Sequence, residues 1–199
     1  TRFGGESVMT RPDHPCGTDR VAEVATKIDA DLIVNVQGDE PEIEPESIDL
    51  AIGLLSMNDS ADAATLATPI RSRKALDDPA NVKVVFDGVG RALYFSRSPI
   101  PFPRDWREDL LGPPEAKTAP FAETDFAFWQ HVGLYVYRKE FLLHISRQPA
   151  VPLEQIESLE QLRFLHGGHE VLVGKVAHSA AGIDTLADYE AFVSREKKR

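Results

Sequence analysis

The hydrophobic positions along the chain follow two spacings, an unbroken one typical of buried strands and a periodic one typical of helices. Residues 32–36 form an almost continuous apolar run before a polar loop, the pattern of a buried parallel strand. A short β-prone piece lies at 7–10. Similar runs predict further strands at 63–70, 82–86, 92–96, 132–137 and 171–176. The middle ones are close enough along the chain to form an antiparallel extension of the sheet.

Helical spacing separates these runs. Thr18 is placed to cap a first helix, whose apolar face comprises Val21, Val24, Ala25 and Ile28. Further helices are predicted over the segment marked by Ile48, Ile52 and Leu55, over 153–165, and over 185–194 with Asp184 or Thr185 as its cap. Strands that alternate with helices predict an α/β fold with a mixed sheet. We therefore expect residues 1–199 to form a single domain, with a long surface loop or lid at about 99–130.

Composition and charge narrow the classes of partner. The chain is 42% hydrophobic and 27% charged, an ordinary globular composition, and its formal net charge of -10 argues against nucleic acid or an anionic membrane as a partner. No apolar run approaches the roughly 20 residues that a membrane-spanning helix needs, so we expect no membrane insertion. Cys16 is the only cysteine. A lone cysteine fits a reducing compartment, and we expect the protein to be cytoplasmic.

Two acidic residues are candidate metal ligands. Asp39 follows the apolar run at 32–36, and carboxylates at the carboxyl end of such a strand lie where open α/β sheets bind ligands. Mg²⁺ takes one or two carboxylates and completes its shell with water and substrate phosphates. Asp184 precedes the last predicted helix. Both residues also have a purely structural interpretation. Asp39 could form a turn before Pro41, and Asp184 could cap the last helix.

Other candidates lie at a turn, beside the long loop and on a helix. The small-residue turn of 14–20 leads into a helix amino terminus, whose free N–H groups can hold a nucleotide or serve only as a cap. Arg97 could clamp a carboxylate at two points, whereas His131 could equally be a surface or core-edge histidine. Glu157 and Glu160, with Arg163 nearby, have the spacing of a solvated salt-bridge stripe.

Taken together, these segments resemble one family. The matching motifs are HPCGTDR at 14–20, VNVQGDEP at 34–41, NVKVV at 81–85, ALYFSR at 92–97, HVGLY at 131–135, PLE at 152–154 with LEQLR at 159–163, and GIDT at 182–185. In this order they closely resemble the 3-deoxy-manno-octulosonate (KDO) cytidylyltransferases, also called CMP-KDO synthetases. The likeness covers essentially all 199 residues.

The resemblance implies a Rossmann-like nucleotidyltransferase fold with three layers, α/β/α. It also implies transfer of CMP from CTP to the anomeric hydroxyl of KDO, giving CMP-KDO and pyrophosphate, with Mg²⁺ as cofactor. The reaction would supply lipopolysaccharide biosynthesis, and the family usually forms homodimers. The implied metal ligands are Asp39 and Asp184. The implied residues on the cytidine side are Cys16, Gly17, Arg20 and Gln37. The implied sugar-acid residues are Arg97, which meets the carboxylate, and His131, Tyr135, Glu160 and Gln161.

The chain departs from the family pattern in three ways. Cys16 stands where serine is expected, and the loop between Arg97 and His131 is longer than expected. The family's opening βαβ portion, with a basic Gly-rich loop around the triphosphate, is expected upstream of Thr1. From that we expect an amino-terminally truncated domain with little activity of its own. The rival interpretations are a synthetase for CMP-sialic acid or CMP-8-amino-KDO, and an inactive fragment.

Overall fold

The strands and helices follow the hydrophobic pattern closely. The computed structural model describes residues 4–14, 16–38, 40–112, 127–179, 182–183 and 185–197. The helices are α1 (Gly17–Ala25), α2 (Pro45–Ser56), α3 (Arg73–Asp77), α4 (Lys139–Ile145), α5 (Pro152–Glu157), α6 (Gln161–His166) and α7 (Leu186–Glu196). The strands are β1 (Leu32–Asn35), β2 (Ala63–Pro69), β3 (Lys83–Phe86), β4 (Ala92–Ser96), β5 (Trp129–Arg138) and β6 (Val171–Lys175).

The six strands of the described ranges form one mixed sheet, as predicted. Its main path runs β4-β3-β5-β2-β6, and β1 pairs with β5. β5 is antiparallel to β1, β2 and β3, β3 is antiparallel to β4, and β2 is parallel to β6. The antiparallel extension predicted from the middle strands is therefore confirmed.

The sheet is packed on both faces because alternate residues of its strands point in opposite directions. Tyr135 and Tyr137 of β5 pack in one cluster with residues of α1, α4 and α6. Val132, Leu134 and Val136 pack in a second cluster with Ala51 and Leu55 of α2. Helices on both faces give the three layers that the family resemblance implied.

Four local predictions were wrong. Residues 7–10 form no strand. β1 pairs antiparallel with β5, and of its four residues only Ile33 is buried, so its apolar run does not mark a fully buried parallel strand. Thr18 lies inside α1, and the residue at the cap position is Cys16. The helix predicted at 153–165 is two helices, because Ser158 adopts a left-handed conformation with φ of 51°.

The predicted long loop is anchored to the core at its described ends. Residues 108–111 form a single 3₁₀ turn, and β5 begins at Trp129, one residue before the predicted end of the loop. Leu111 and Phe128 are buried in one cluster with Ile70 and Leu76. Residues 113–126 lie outside the described residues.

Candidate functional site

A cavity of about 390 Å³ opens beside the end of β1, along β5 from His131 to Tyr137, and beside the start of α1 and the turn between α5 and α6. The residues that line it are Gly17, Thr18, Asn35, Gln37, Arg97, His131, Gly133, Tyr135, Tyr137, Ser158, Leu159, Glu160, Gln161 and Phe164. Seven of these are site residues that the sequence predicted: Gly17, Gln37, Arg97, His131, Tyr135, Glu160 and Gln161. The fold therefore brings residues from 17 to 161 together around one cavity.

Arg97 presents a positive charge to this cavity. Its Nε–H donates to the carbonyl of Glu157 at 2.7 Å, Nη1 donates to Pro79 O at 3.0 Å, and Nη2 lies 3.4 Å from Ser158 O. All three partners are neutral carbonyls, and within the described ranges no carboxylate forms an ion pair with the guanidinium. A guanidinium has five N–H groups, so each terminal nitrogen keeps one N–H for a ligand. Such a pair can hold a carboxylate at two points.

Two charged groups, the partly buried Glu157 and the buried Lys83, hold Arg97 in place. The Glu157 carboxylate accepts from Ser96 Oγ at 2.7 Å and from the backbone N–H of Arg97 at 2.9 Å. Lys83 is fully buried and donates from Nζ to the carbonyls of Asp78 and Asn81, which flank the Pro79 carbonyl that Arg97 contacts. Burial lowers the pKa of Lys83. Glu157 thus positions the Arg97 backbone rather than belonging to a solvated stripe.

His131 and Tyr135 reach the cavity from β5. The His131 ring packs edge-on against Phe95, with centroids 5.1 Å apart, and 5.2 Å from the ring of Tyr135. Burial lowers the pKa of His131 to about 3, so the imidazole is neutral near pH 7. Burial raises the pKa of Tyr135, and its buried hydroxyl lies beside that of Thr65 but forms no close hydrogen bond within the described part of the chain. That orphaned hydroxyl is available to a polar ligand.

Glu160 joins the cavity to the start of α1. Its Oε1 accepts from the backbone N–H of Gly17 at 3.1 Å, and its Oε2 accepts from the backbone N–H and the hydroxyl of Thr18. Cys16, the N-cap residue of α1, makes no side-chain capping bond, so Glu160 supplies that cap from a distant part of the chain.

Arg163 forms an ion pair with Glu154 rather than with Glu157 or Glu160, and both Arg163 and Glu154 are buried. The predicted stripe of Glu157, Glu160 and Arg163 therefore does not form.

Cys16 and Arg20 stand apart from the cavity lining. Arg20 donates to Thr10 Oγ1 at 2.5 Å and to Arg11 O at 3.1 Å, contacts that hold the segment before α1. Cys16 is partly buried, and burial raises the pKa of its thiol to about 12, with further contributions from the Glu160 and Asp19 carboxylates. Cys16 is therefore an uncharged thiol at the start of α1.

Asp39 and Asp184, the two predicted metal ligands, lie outside the described residues. Over the ranges that the structure does describe, no three His, Cys, Asp or Glu side chains are grouped to hold a metal ion. A second cavity, of about 200 Å³, is lined by Glu40, Glu42 and Glu44 and by His178 and Ser179. Carboxylate oxygens suit a hard cation such as Mg²⁺. The second cavity thus offers oxygen ligands of the type that a divalent cation takes.

Sequence reasoning missed three polar residues of the first cavity. Asn35 ends β1 as a polar residue after an apolar run, which is a readable signal. Tyr137 follows His131 and Tyr135 at even spacing along one face of β5, and its ring stacks on that of Tyr135 with centroids 5.4 Å apart. The sequence gives no indication that Ser158 belongs to the site, because Ser158 lines the cavity only as a result of the break between α5 and α6.

The comparisons with known proteins agree with this geometry. A family model described as "Cytidylyltransferase" matches residues 1–171. The chain belongs to the cytidylyltransferase family. A 3-deoxy-manno-octulosonate cytidylyltransferase from Geobacter sulfurreducens is 48% identical over 195 residues, 98% of this chain and 76% of that protein. One from Rhodopirellula baltica is 46% identical over 194 residues, 97% of this chain and 74% of that protein.

Solved structures place the cytidylyltransferase chain in the same fold. A CMP:2-keto-3-deoxy-manno-octonic acid synthetase complexed with CTP superposes with a TM-score of 0.81 at 39% identity, covering 98% of this chain and 75% of that one. A 4-diphosphocytidyl-2C-methyl-D-erythritol synthase from Anaerococcus prevotii has a TM-score of 0.52 at 15% identity, a likeness of fold alone. The nucleotidyltransferase fold is thereby confirmed. In the described residues, no helix combines the length and apolarity needed to cross a bilayer.

Proposed function

We propose that this protein transfers CMP from CTP to the anomeric hydroxyl of KDO, giving CMP-KDO and pyrophosphate. The observation that carries the proposal is the Arg97 guanidinium, which faces a polar cavity with only carbonyl partners. A cation in this setting favours an anionic ligand. The names of the curated relatives and the CTP complex of the related synthetase support the choice of substrates.

The cavity chemistry suits a polyhydroxylated acid. The two remaining N–H groups of Arg97 would bind the carboxylate of the sugar acid. The neutral imidazole of His131, the orphaned hydroxyl of Tyr135 and the amide of Gln161 would bind sugar hydroxyls. Glu160 would accept a further hydroxyl while its carboxylate caps α1.

The cytidine would bind on the side of the cavity where Gly17 and Gln37 lie. Cys16 and Arg20 would act indirectly there, by shaping the turn into α1. In the reaction, the anomeric oxygen bonds to the α-phosphorus of CTP as the bond to the pyrophosphate oxygen breaks. The hydroxyl proton leaves to solvent, and we assign no protein general base.

We further propose that Mg²⁺ is the cofactor and that Asp39 and Asp184 hold it. When bound, the metal would neutralise phosphate charge and lower the pKa of the attacking hydroxyl. The second cavity, lined by Glu40, Glu42 and Glu44, offers carboxylate oxygens of the type that Mg²⁺ takes, and Glu42 also accepts a hydrogen bond from Arg195 at 2.5 Å. A homodimer, a cytoplasmic location and a role in lipopolysaccharide biosynthesis remain predictions from the resemblance and the composition.

Substrate competition tests the proposed function. Pyrophosphate release would be measured from CTP and Mg²⁺ with KDO, 8-amino-KDO or sialic acid as acceptor. We expect turnover with KDO and much slower release with the other two acids. Faster pyrophosphate release with sialic acid or with 8-amino-KDO would show that this acid, and not KDO, is the acceptor. No release with any acid would overturn the assignment of an active synthetase.

A further inference from the structure

The hydroxyl of Thr65 occupies an irregularity in the sheet directly behind the cavity. β2 and β5 change register there, because Thr65 lies opposite Tyr135 while Leu66 lies opposite Val132. Gly133 and Leu134 are thus extra residues in β5, which interrupts the ladder of backbone hydrogen bonds. Thr65 is fully buried, and its Oγ1 lies 2.7 Å from Leu134 O and 3.2 Å from Val132 O.

A third polar atom contacts the same hydroxyl. His131 Nε2 lies 2.9 Å from Thr65 Oγ1. The hydroxyl has a single proton to donate, and the two carbonyls can only accept. If the hydroxyl gave this proton to His131 Nε2, its lone pairs would face both carbonyl oxygens, so we assign the proton to the nearer carbonyl, Leu134 O. The oxygen of Thr65 then accepts from His131 Nε2, which must carry a proton. The Tyr135 hydroxyl, which also lies beside Thr65, can serve this oxygen only as a second donor.

This proton count also determines the protonation state of Nδ1, the other ring nitrogen. A neutral imidazole has one N–H, so protonation at Nε2 leaves Nδ1 with a lone pair. The imidazole is neutral because burial depresses its pKa. The edge contact with Phe95 and the contact with Tyr135 keep the ring from turning over. No described residue forms a hydrogen bond with Nδ1, which leaves that nitrogen for a ligand in the cavity.

We propose that Thr65 is a positioning residue: it holds His131 in the Nε2–H tautomer so that Nδ1 accepts a hydrogen bond from a hydroxyl of the sugar acid. The tautomer rests on the geometry of Thr65, His131 and Leu134. The identity of the ligand rests on the proposed function. Thr65 itself does not line the cavity, so it acts on the substrate only through His131.

The tautomer can be read directly by nitrogen-15 NMR of histidine-labelled protein. The chain has six histidines, and the signals of His131 are those that disappear in His131→Gln. In the wild type and in Thr65→Ser, we expect a protonated Nε2 and an unprotonated Nδ1. Thr65→Val, which keeps the shape and removes the hydroxyl, should lose this preference. A protonated Nδ1 in the wild type would overturn the proposal, and this outcome is read from the wild type once His131→Gln has assigned the signals.

Kinetics separate positioning from mere stability. One hydrogen bond is worth about 1 kcal/mol, so Thr65→Val should raise the KM for KDO about fivefold to tenfold, with the KM for CTP unchanged and Thr65→Ser near wild type. An unchanged KM for KDO in Thr65→Val, or equal rises in both KM values, would overturn the positioning role. If the wild-type protein has the predicted tautomer but does not turn over KDO, that result would instead overturn the proposed function.

Discussion

The Glu160 carboxylate accepts a hydrogen bond from the backbone N–H of Thr18 at 3.1 Å, across 142 positions of sequence. It thereby ties the turn between α5 and α6 to the first turn of α1. The negative charge also lies at the positive end of the α1 dipole, which adds a favourable electrostatic interaction. One carboxylate therefore serves both the stability of the fold and the shape of the cavity.

Removal of this cap should destabilise the protein. We expect Glu160→Ala to lower the free energy of unfolding by about 1–2 kcal/mol, the usual range for a lost N-terminal cap, and Glu160→Gln to lower it by less. Urea unfolding followed by circular dichroism measures both. Asp29→Asn, at an exposed acid in the loop after α1, should change the value by less than about 0.5 kcal/mol. Equal effects of Glu160→Ala and Asp29→Asn would contradict the capping role.

Arg97 should discriminate between the two substrates. Arg97→Lys keeps the charge but loses the planar pair of N–H groups, so we expect the KM for KDO to rise about tenfold and the KM for CTP to change less than twofold. Arg138→Lys is a matched control, since the Arg138 guanidinium also binds carbonyls, those of Ala61, Leu55 and Asn58, away from the cavity lining. Equal rises in both KM values for Arg97→Lys would count against carboxylate recognition.

The proposed metal ligands can be tested by isosteric substitution. Asp39→Asn and Asp184→Asn remove one negative charge each, and we expect either change to lower kcat at least about 100-fold in Mg²⁺. Titration of Mg²⁺ at saturating CTP would show whether higher metal concentrations restore part of the rate. Asp49→Asn, at an exposed position of α2, is the control. Near-normal rates for both substituted proteins at low Mg²⁺ would refute the assignment.

The neutral His131 should make the fold sensitive to acid. Its folded pKa of about 3 lies below the value near 6.5 of an unfolded histidine, so the unfolded state binds the proton first. The contribution of the neutral imidazole to the free energy of unfolding is complete above about pH 6.5 and is lost as the pH falls towards 3. Between pH 6 and 4.5 the stability of the wild type should fall by up to about 1.4 kcal/mol per pH unit from this group.

Urea unfolding at several pH values of wild type and His131→Gln isolates that contribution. The difference in unfolding free energy between the two proteins should shrink as the pH falls through this window. His166→Gln, at an exposed histidine, should show no such trend relative to wild type. A constant difference between wild type and His131→Gln from pH 7 to pH 4.5 would contradict a neutral imidazole at this site.

The buried pair of Glu154 and Arg163 should be the most costly ion pair to break. Arg163 Nε donates to Glu154 Oε2 at 2.8 Å, and the Arg163 and Glu154 residues are only 6% and 7% exposed. Arg163→Met would leave a buried unpaired carboxylate, at a cost of about 3–5 kcal/mol, while Glu154→Leu with Arg163→Met should cost less than the single change. Arg107→Met, in an exposed pair with Asp109, should cost less than about 1 kcal/mol. A double variant less stable than Arg163→Met would contradict this.

Much of the fold could be read from hydrophobic spacing. The strands β2, β3, β4 and β6 and the helix α7 lie within a few residues of their predicted bounds, and α2 contains all three apolar residues that predicted it. The errors fall where that signal is absent. The break at Ser158 depends on a left-handed backbone in a polar stretch, and the antiparallel pairing of β1 depends on which strand lies beside it.

The sequence by itself determined the α/β class, the family motifs and the candidate residues, since these depend on residue type and on spacing along the chain. Only the tertiary structure decided what those residues contact. The cap of α1 by Glu160, the carbonyl partners of Arg97 and the bond between Thr65 and His131 join residues at least 18 positions apart. Such contacts depend on how helices and strands pack around the sheet, and local spacing carries no record of that packing.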